Sequence, residues 1–445
     1  MSGKRITLMG LGLLGRGINV AKFLLENGTE LTITDLKPKE RLLPSLAELS
    51  AFEKQITYVL GEHRLEDFRD RDLVIKTAGV PLESVYIEEA HKNGIPVEMD
   101  ASLFVKLSPK GVIVVGVTGT RGKSTTTHLV AHILERVGKK VFLGGNIRGL
   151  ATLPLLRQVN KGDYVVLELD SWQLQGFGES RISPHVSVFT NLLSDHMNYY
   201  KGSMEKYFAD KANIFLWQKK NDFLIAGEMI AEKIDKEYGL RHKGNLISVK
   251  DADLPANWKL QIMGEHNRLN AALALASTRT LGLTDEEIKL GIESFPGIEG
   301  RLQLVGEKDG VKIYNDNNAT TADATVAGLT AVAGGKNVVL IMGGADKGLD
   351  MSRLILTIGK YCKAVVLLSG TGTEKIKEQL ESLPGLRVEE DERLEGTVGI
   401  AVEIAEKGDV ILFSPAFASF SKYFENEYER NDVFMKEVGV WLMKI

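Results

Sequence analysis

Short apolar runs alternate along the chain with stretches whose apolar positions recur at helical spacing, the pattern of βαβ units. Over the first hundred or so residues, Lys4–Met9 predicts a strand, Arg16–Asn27 a helix stopped by Gly28, and Glu30–Thr34 a second strand. Asp72–Lys76 and Pro96–Met99 predict further short strands. The turn-forming Ser108-Pro109-Lys110-Gly111 then interrupts the alternation and predicts a domain boundary. A new cycle opens with a strand at Val112–Val117, a glycine-rich turn and a helix from about Ser124 to Val137. Strand-like runs follow at Tyr164–Leu169 and Val186–Thr190. Met263–Leu281 has a helical pattern, and the turn-dense Ser294–Gly300 marks a second boundary. The last third alternates again, with strands predicted at Val311–Asn315, Val338–Met342, Ala364–Leu368 and Val410–Phe413. No repeat of fixed period and no low-complexity tract breaks this series. The expected fold class is α/β, built as three consecutive α/β domains over residues 1–108, 109–297 and 298–445.

Composition narrows the function classes. Hydrophobic residues at 44% and charged residues at 26% are ordinary globular values, which excludes a disordered or collagenous chain. Lys+Arg 55 against Asp+Glu 59 leaves a net charge of -4, which argues against a protein that coats nucleic acid. The single cysteine, Cys362, removes intrachain disulfides and zinc-ribbon readings. No apolar stretch reaches the ~18 residues of a membrane helix. Lys4-Arg5 followed by an apolar run imitates a signal peptide but lacks a small-residue cleavage site. The expectation is a soluble cytoplasmic protein without a membrane span or nucleic-acid partner.

Two glycine loops carry the candidate chemistry. Gly10-Leu11-Gly12-Leu13-Leu14-Gly15 follows a strand and opens a helix, with Asp35 twenty residues beyond Gly15. This is the dinucleotide fingerprint: a tight turn, close backbone approach to a pyrophosphate, and an acid for a ribose hydroxyl. A UDP-sugar offers the same diphosphate and ribose as NAD, so the loop alone leaves both open. The second loop, Thr118-Gly119-Thr120-Arg121-Gly122-Lys123-Ser124-Thr125, also joins a strand to a helix. Its amides suit phosphate oxygens, Lys123 neutralises β/γ charge, and the Ser124 hydroxyl suits Mg²⁺. The strict phosphate-loop pattern would place glycine at 117, where this chain has Val117, so the loop is a variant. ATP binding is expected, and a dehydrogenase has no use for this second loop. Glu168 ends an apolar strand, the placement of a residue that contacts Mg²⁺ or its water. His196 follows another strand, in Thr190-Asn191-Leu192-Leu193-Ser194-Asp195-His196-Met197.

In combination these motifs resemble the Mur ligase superfamily, ATP-dependent amino-acid ligases of peptidoglycan precursor synthesis, over essentially the full length. The resemblance rests on T-G-T-R-G-K-S (118–124), G-G-N-I (144–147), L-E-L-D-S-W-Q-L (167–174), T-N-L-L-S-D-H-M (190–197) and Lys211 within Y-F-A-D-K. It extends to G-E-H-N-R-L-N-A-A (264–272), Gly300-Arg301, Y-N-D (314–316), M-G-G-A-D-K (342–347) and S-P-A-F-A-S-F (414–420). It implies an N-terminal Rossmann-like domain for a UDP substrate, a central phosphate-loop ATPase domain with a mostly parallel sheet, and a mobile Rossmann-like C-terminal domain. The D-glutamate-adding branch is the nearest match, implying UDP-N-acetylmuramoyl-L-alanine and D-glutamate as substrates and a monomeric enzyme.

By the same resemblance, Ser124, Glu168 and His196 serve two Mg²⁺ ions, and Lys211 is carbamylated by CO₂ to support them. Asn267, Asn270, Arg301 and Asp316 contact ATP, while Asn146 and His196 touch the muramoyl group. Gly12, Leu13, Leu14, Asp35 and Lys37 match the uridine-nucleotide region. Lys347, Ser419 and Phe420 match the pocket of the incoming amino acid. Five departures bear on this transfer: Leu14 replaces a common threonine, Asp170 a common serine, Gly300 a frequent histidine before Arg301, Asn317-Asn318 stands where the family carries serine-lysine, and the stretch after Ser419 is one residue longer. Two alternatives stand beside this reading: another amino-acid ligase of the superfamily, and a Rossmann NAD-dependent oxidoreductase.

Overall fold

Three sheets of mainly parallel strands follow one another along the chain in the computed structural model. It describes residues 1–445 apart from 14, 148–149, 240, 420–423, 425 and 444–445. The first sheet holds β1 (Arg5–Met9), β2 (Glu30–Asp35), β3 (Ile56–Leu60), β4 (Leu73–Lys76) and β5 (Val97–Glu98) in the order β3-β2-β1-β4-β5. All its pairs are parallel. The order reverses between β1 and β4, the place where open α/β sheets leave a crevice at their carboxyl ends. The first glycine loop leaves β1 at that crevice.

The second sheet holds β6 (Ile113–Thr118), β7 (Val141–Gly145), β8 (Tyr164–Glu168), β9 (Val186–Phe189), β10 (Phe223–Gly227) and β11 (Asn245–Val249). Its order is β11-β10-β9-β6-β8-β7, so β6 and its phosphate loop lie centrally between β8 and β9. The third holds β12 (Gln303–Lys308), β13 (Val311–Asn315), β14 (Val338–Gly343), β15 (Cys362–Leu368), β16 (Arg387–Asp391) and β17 (Val410–Phe413), in the order β12-β13-β17-β14-β15-β16. Central strands such as β14 are buried along their whole length, which is why they read as unbroken apolar runs.

The expectation of three consecutive domains meets two compact units: Met1–Trp258 with Arg268–Glu293, and Lys259–Asn267 with Ser294–Ile445. The first two sheets share one unit because they share one core. Leu8, Leu24 and Phe104 belong to the same cluster of buried residues as Leu153, Leu174 and Phe177. Asp100, buried, accepts the backbone N–H groups of Thr152 and Leu153, both at 2.7 Å. The Ser108–Gly111 turn lies between the two sheets of this unit. Among the described residues no helix is long and apolar enough to cross a membrane.

Candidate active site

The loop after β6 is shaped by what it packs against. Gly119 has φ +140°, and a Cβ there would come within 1.9 Å of the Thr190 hydroxyl; Gly122, at φ +81°, would meet Asn270 Oδ1 at 2.3 Å. Neither position tolerates a side chain. Thr120 N–H donates to Asn191 O and Arg121 N–H to Asn191 Oδ1, each at 2.9 Å, while the Thr190 hydroxyl donates to Arg121 O at 2.6 Å. The segment after β9 therefore forms one wall of the loop. Lys123 opens the Lys123–Arg136 helix, and its Nζ donates to Gly119 O at 3.1 Å and Thr120 O at 3.0 Å. A cation and a helix N-terminus thus converge, with Ser124 and Thr125 in the first turn, an arrangement suited to a phosphate chain. Thr118 instead faces the core: it is buried, and its hydroxyl donates to Leu169 O at 2.7 Å.

Glu168 lies beside this loop because β8 pairs with β6, setting Val117 opposite Glu168. It is 5% exposed, and its carboxylate has no hydrogen bond or ion pair among the described residues. An acid left in that state is suited to a cation. The described residues contain no group of three or more His, Cys, Asp and Glu able to hold a metal ion. Mg²⁺ keeps several waters and takes few protein ligands, so a hydroxyl and one such carboxylate fit it. The departure at Asp170 has a local cause. Its carboxylate accepts the Gln173 N–H at 2.7 Å and caps the Ser171–Ser180 helix. His196 sits at φ +54° with its ring 4.7 Å from that of Trp172.

Lys211 would be an exposed helical lysine on its sequence alone. Instead it is 1% exposed, its Nζ donating to Gly119 O at 2.9 Å and to the Thr118 hydroxyl at 3.4 Å, above the Tyr207 ring. Burial, aided by the charge of Lys123, lowers its pKa to about 7, against the opposing pull of Asp170, Asp195 and Asp210. The signal was available in the Met204–Ala212 helix, whose buried positions Tyr207, Phe208, Lys211 and Ala212 form one stripe with the lysine in it.

In the first glycine loop, Asp35 is not a free acid awaiting a ribose. One carboxylate oxygen accepts Leu11 N–H at 2.9 Å and Gly12 N–H at 3.0 Å, and the other accepts Lys37 N–H at 2.9 Å. The acid holds the loop closed. Leu13 is exposed, and Leu14 and Phe420 lie outside the described residues. Arg16, at the start of the next helix, donates to Gly145 O at 2.8 Å and to Leu150 O at 3.3 Å. These bonds tie the loop to the segment that carries exposed Asn146.

The second unit holds the remaining candidates. Asp316 accepts Leu302 N–H at 3.0 Å and the Ser414 hydroxyl at 2.9 Å, and burial raises its pKa to about 7 against those two bonds and Arg301. Arg301 is exposed, Ser419 is buried, and Asn267 donates to Met263 O at 2.7 Å. Lys347 Nζ donates to the carbonyl and hydroxyl of Thr320, both at 3.0 Å. Asn318, where the family carries lysine, is exposed, but its neighbour Asn317 is buried and gripped by Arg430. Arg430 Nε donates to Asn317 Oδ1 and Nη2 to Asn317 O, each at 2.9 Å. Sequence reasoning missed Arg430, which sits in a run of polar residues with no pattern to mark it as buried.

Asp316 makes a stability prediction. Its folded pKa of about 7 lies above the ordinary 3.8, so the folded chain keeps a proton that the unfolded chain loses between those values. Stability therefore falls as pH rises through that window. Asp316→Asn can keep both hydrogen bonds and is expected to melt above the parent at pH 8, the gap closing by pH 4. Thermal unfolding at the two pH values checks this.

Comparison with known proteins fits this geometry. The MurD-like N-terminal domain of Mur ligases matches residues 4–98, the Mur ligase middle domain 117–278, and the Mur ligase glutamate ligase domain 300–417. The chain belongs to the Mur ligase family and is an ADP-forming amide ligase. It is 34% identical to the UDP-N-acetylmuramoylalanine–D-glutamate ligase of Roseiflexus sp. (strain RS-1), covering 98% of this chain and 99% of that one. It is also 34% identical to the ligase of the same name from Borreliella afzelii, covering 97% of each. Among solved structures, MurC of Thermotoga maritima superposes with a TM-score of 0.60 at 21% identity, covering 98% of this chain and 99% of that one. MurF of the same organism, determined with ADP, gives 0.55 at 20% identity, covering 85% and 97%. At these identities the likeness to the solved structures is one of fold.

Proposed function

We propose that the chain joins D-glutamate to the alanyl carboxylate of UDP-N-acetylmuramoyl-L-alanine, converting ATP to ADP and phosphate. The observation that carries this reading is the presence of both glycine loops in one compact unit, one beside Lys123, Glu168 and Lys211, the other closed by Asp35. Relatives named for this activity match it from end to end.

A carboxylate is a poor electrophile because an oxide would have to leave. Lys123 and the helix amides would hold the ATP phosphates while the γ-phosphoryl group passes to the carboxylate oxygen, releasing ADP. The amine of D-glutamate then attacks the carbonyl carbon of the acyl phosphate, loses a proton, and expels phosphate. Among the described residues, Lys347 and Arg430 would supply positive charge near Asn317–Thr320, where the family lysine is absent. Mg²⁺, held by Ser124, Glu168, His196 and carbamylated Lys211, would neutralise phosphate charge. Lys211 is suited to carbamylation: an amine with a pKa of about 7 is partly neutral at physiological pH and can attack CO₂.

Phosphate release with UDP-N-acetylmuramoyl-L-alanine and ATP, measured over a panel of amino acids, tests the reading. D-Glutamate is expected to be selected. Preference for another amino acid would move the chain to a different branch, and release independent of any amino acid would end the ligase reading. Asp35→Ala leaves the N–H groups of Leu11, Gly12 and Lys37 without their acceptor. It is expected to raise KM for the UDP substrate about tenfold, the scale of one lost charge-assisted hydrogen bond, with KM for ATP unchanged. Equal increases in both would remove Asp35 from that pocket.

A further inference from the structure

The first sheet ends β4 on a buried lysine that the family motifs leave unused. Lys76 is 1% exposed; its Nζ donates to Val80 O at 2.9 Å and to Gln175 Oε1 at 3.1 Å, across to the Ser171–Ser180 helix beside the second sheet. Burial lowers its pKa to about 8, with Asp210, Asp170 and Glu179 pulling the other way. A cation this deeply buried is retained at a cost unless it orients something.

What it orients is the Gln175 amide. With Oε1 fixed on the ammonium, Nε2 must face the opposite way, where it donates to Asp210 Oδ2 at 2.8 Å and to the Tyr199 hydroxyl at 3.1 Å. Tyr200 completes the group, its hydroxyl donating to Asp210 Oδ2 at 2.9 Å. Asp210 directly precedes Lys211 on the Met204–Ala212 helix. Tyr199 and Tyr200 both donate backbone N–H groups to His196 O, at 3.0 and 3.1 Å. One glutamine amide therefore links the helix of Lys211 to the segment of His196, and its orientation is set from the other sheet. A flipped amide would turn Oε1 toward the Asp210 carboxylate and Nε2 toward the Lys76 ammonium, losing both of those bonds.

We propose that Lys76 is a positioning residue: by fixing the Gln175 amide it holds Asp210, and with it Lys211, in the place where the lysine can be carbamylated. This rests on the carbamate reading given above. It also means that the sheet bearing the nucleotide-sugar loop takes part in assembling the ATP site.

The test is a titration of the full-length protein with carbon-13-labelled bicarbonate, following the carbamate carbon by NMR alongside ADP binding and melting temperature. For Lys76→Met, the bicarbonate concentration at half-maximal signal is expected to rise about tenfold, the scale of one hydrogen bond to a charged group, with ADP affinity unchanged. Gln175→Leu should do the same, and the double variant should be no worse than Gln175→Leu alone, because both act through one contact. Asp210→Asn probes the far end while keeping the side-chain shape, and should shift the titration in the same direction. A merely structural role would lower the melting temperature and leave the titration where it was; that outcome overturns the proposal. So do independent, multiplying effects in the double variant. If the parent protein shows no carbamate signal that Lys211→Ala abolishes, the carbamate reading itself falls, and this proposal falls with it.

Discussion

Lys211→Ala is expected to cost about a hundredfold or more in kcat, the scale of losing one pre-organised charged group at a reacting phosphate. Short carboxylates such as acetate or formate should restore part of the loss, since they can occupy the space of a carbamate and supply its charge. The physical basis is the environment of Nζ. It faces a carbonyl and a hydroxyl, with no carboxylate in hydrogen-bonding contact among the described residues, and it is buried over an aromatic ring. Burial and the nearby charge of Lys123 nevertheless outweigh these contacts and the pull of Asp170, Asp195 and Asp210, and favour a neutral amine. A second measurement separates function from folding. Below about pH 7 the folded chain must carry a buried charge there, so Lys211→Met should melt no lower than the parent at pH 6 while remaining inactive. Full activity in Lys211→Ala without added carboxylate would dismiss the carbamate.

Lys123→Ala should cut ADP production by about 10²–10³ in turnover, by analogy with removal of one donor from a transition-state cradle. The ammonium is held by Gly119 O and Thr120 O, which pre-places it over the turn that the phosphates would enter. The variant loses that charge without disturbing the bonds of Thr120 and Arg121 to Asn191, or the close packing of Gly122 on Asn270. The loop should therefore keep its shape and bind ADP more weakly, which calorimetry can read directly. Near-normal turnover would place the ATP site elsewhere.

The comparison of pattern with structure divides along physical lines. The strands foreseen from apolar runs, among them β1, β6, β14 and β17, are central or doubly buried, so solvent exclusion alone wrote them into the sequence. Among the edge strands, β5 was foreseen as Pro96–Met99, whereas β3, β7, β11, β12 and β16, which bury less, were not; nor was the inner strand β10. β12 nevertheless had a readable mark. It pairs antiparallel with β13 across Asp309-Gly310, both at positive φ, and an Asp-Gly pair between two runs signals such a hairpin. The phosphate loop was legible because its glycines, lysine and hydroxyl are contiguous.

Lys76, Arg430 and the constraint on Asp35 were not legible, because each acts through a partner far away in the chain: Gln175, Asn317, and the amides of Leu11 and Gly12. The family of the chain, its α/β class and its phosphate-loop motif were determined by the sequence alone, since each depends on local pattern or on adjacent residues. Only the tertiary structure decided that the first two sheets share buried core residues, that Lys211 is buried beside Gly119, and that Asp35 is already bonded. Burial and hydrogen-bond pairing between distant residues are properties of packing, and no local stretch of sequence records them.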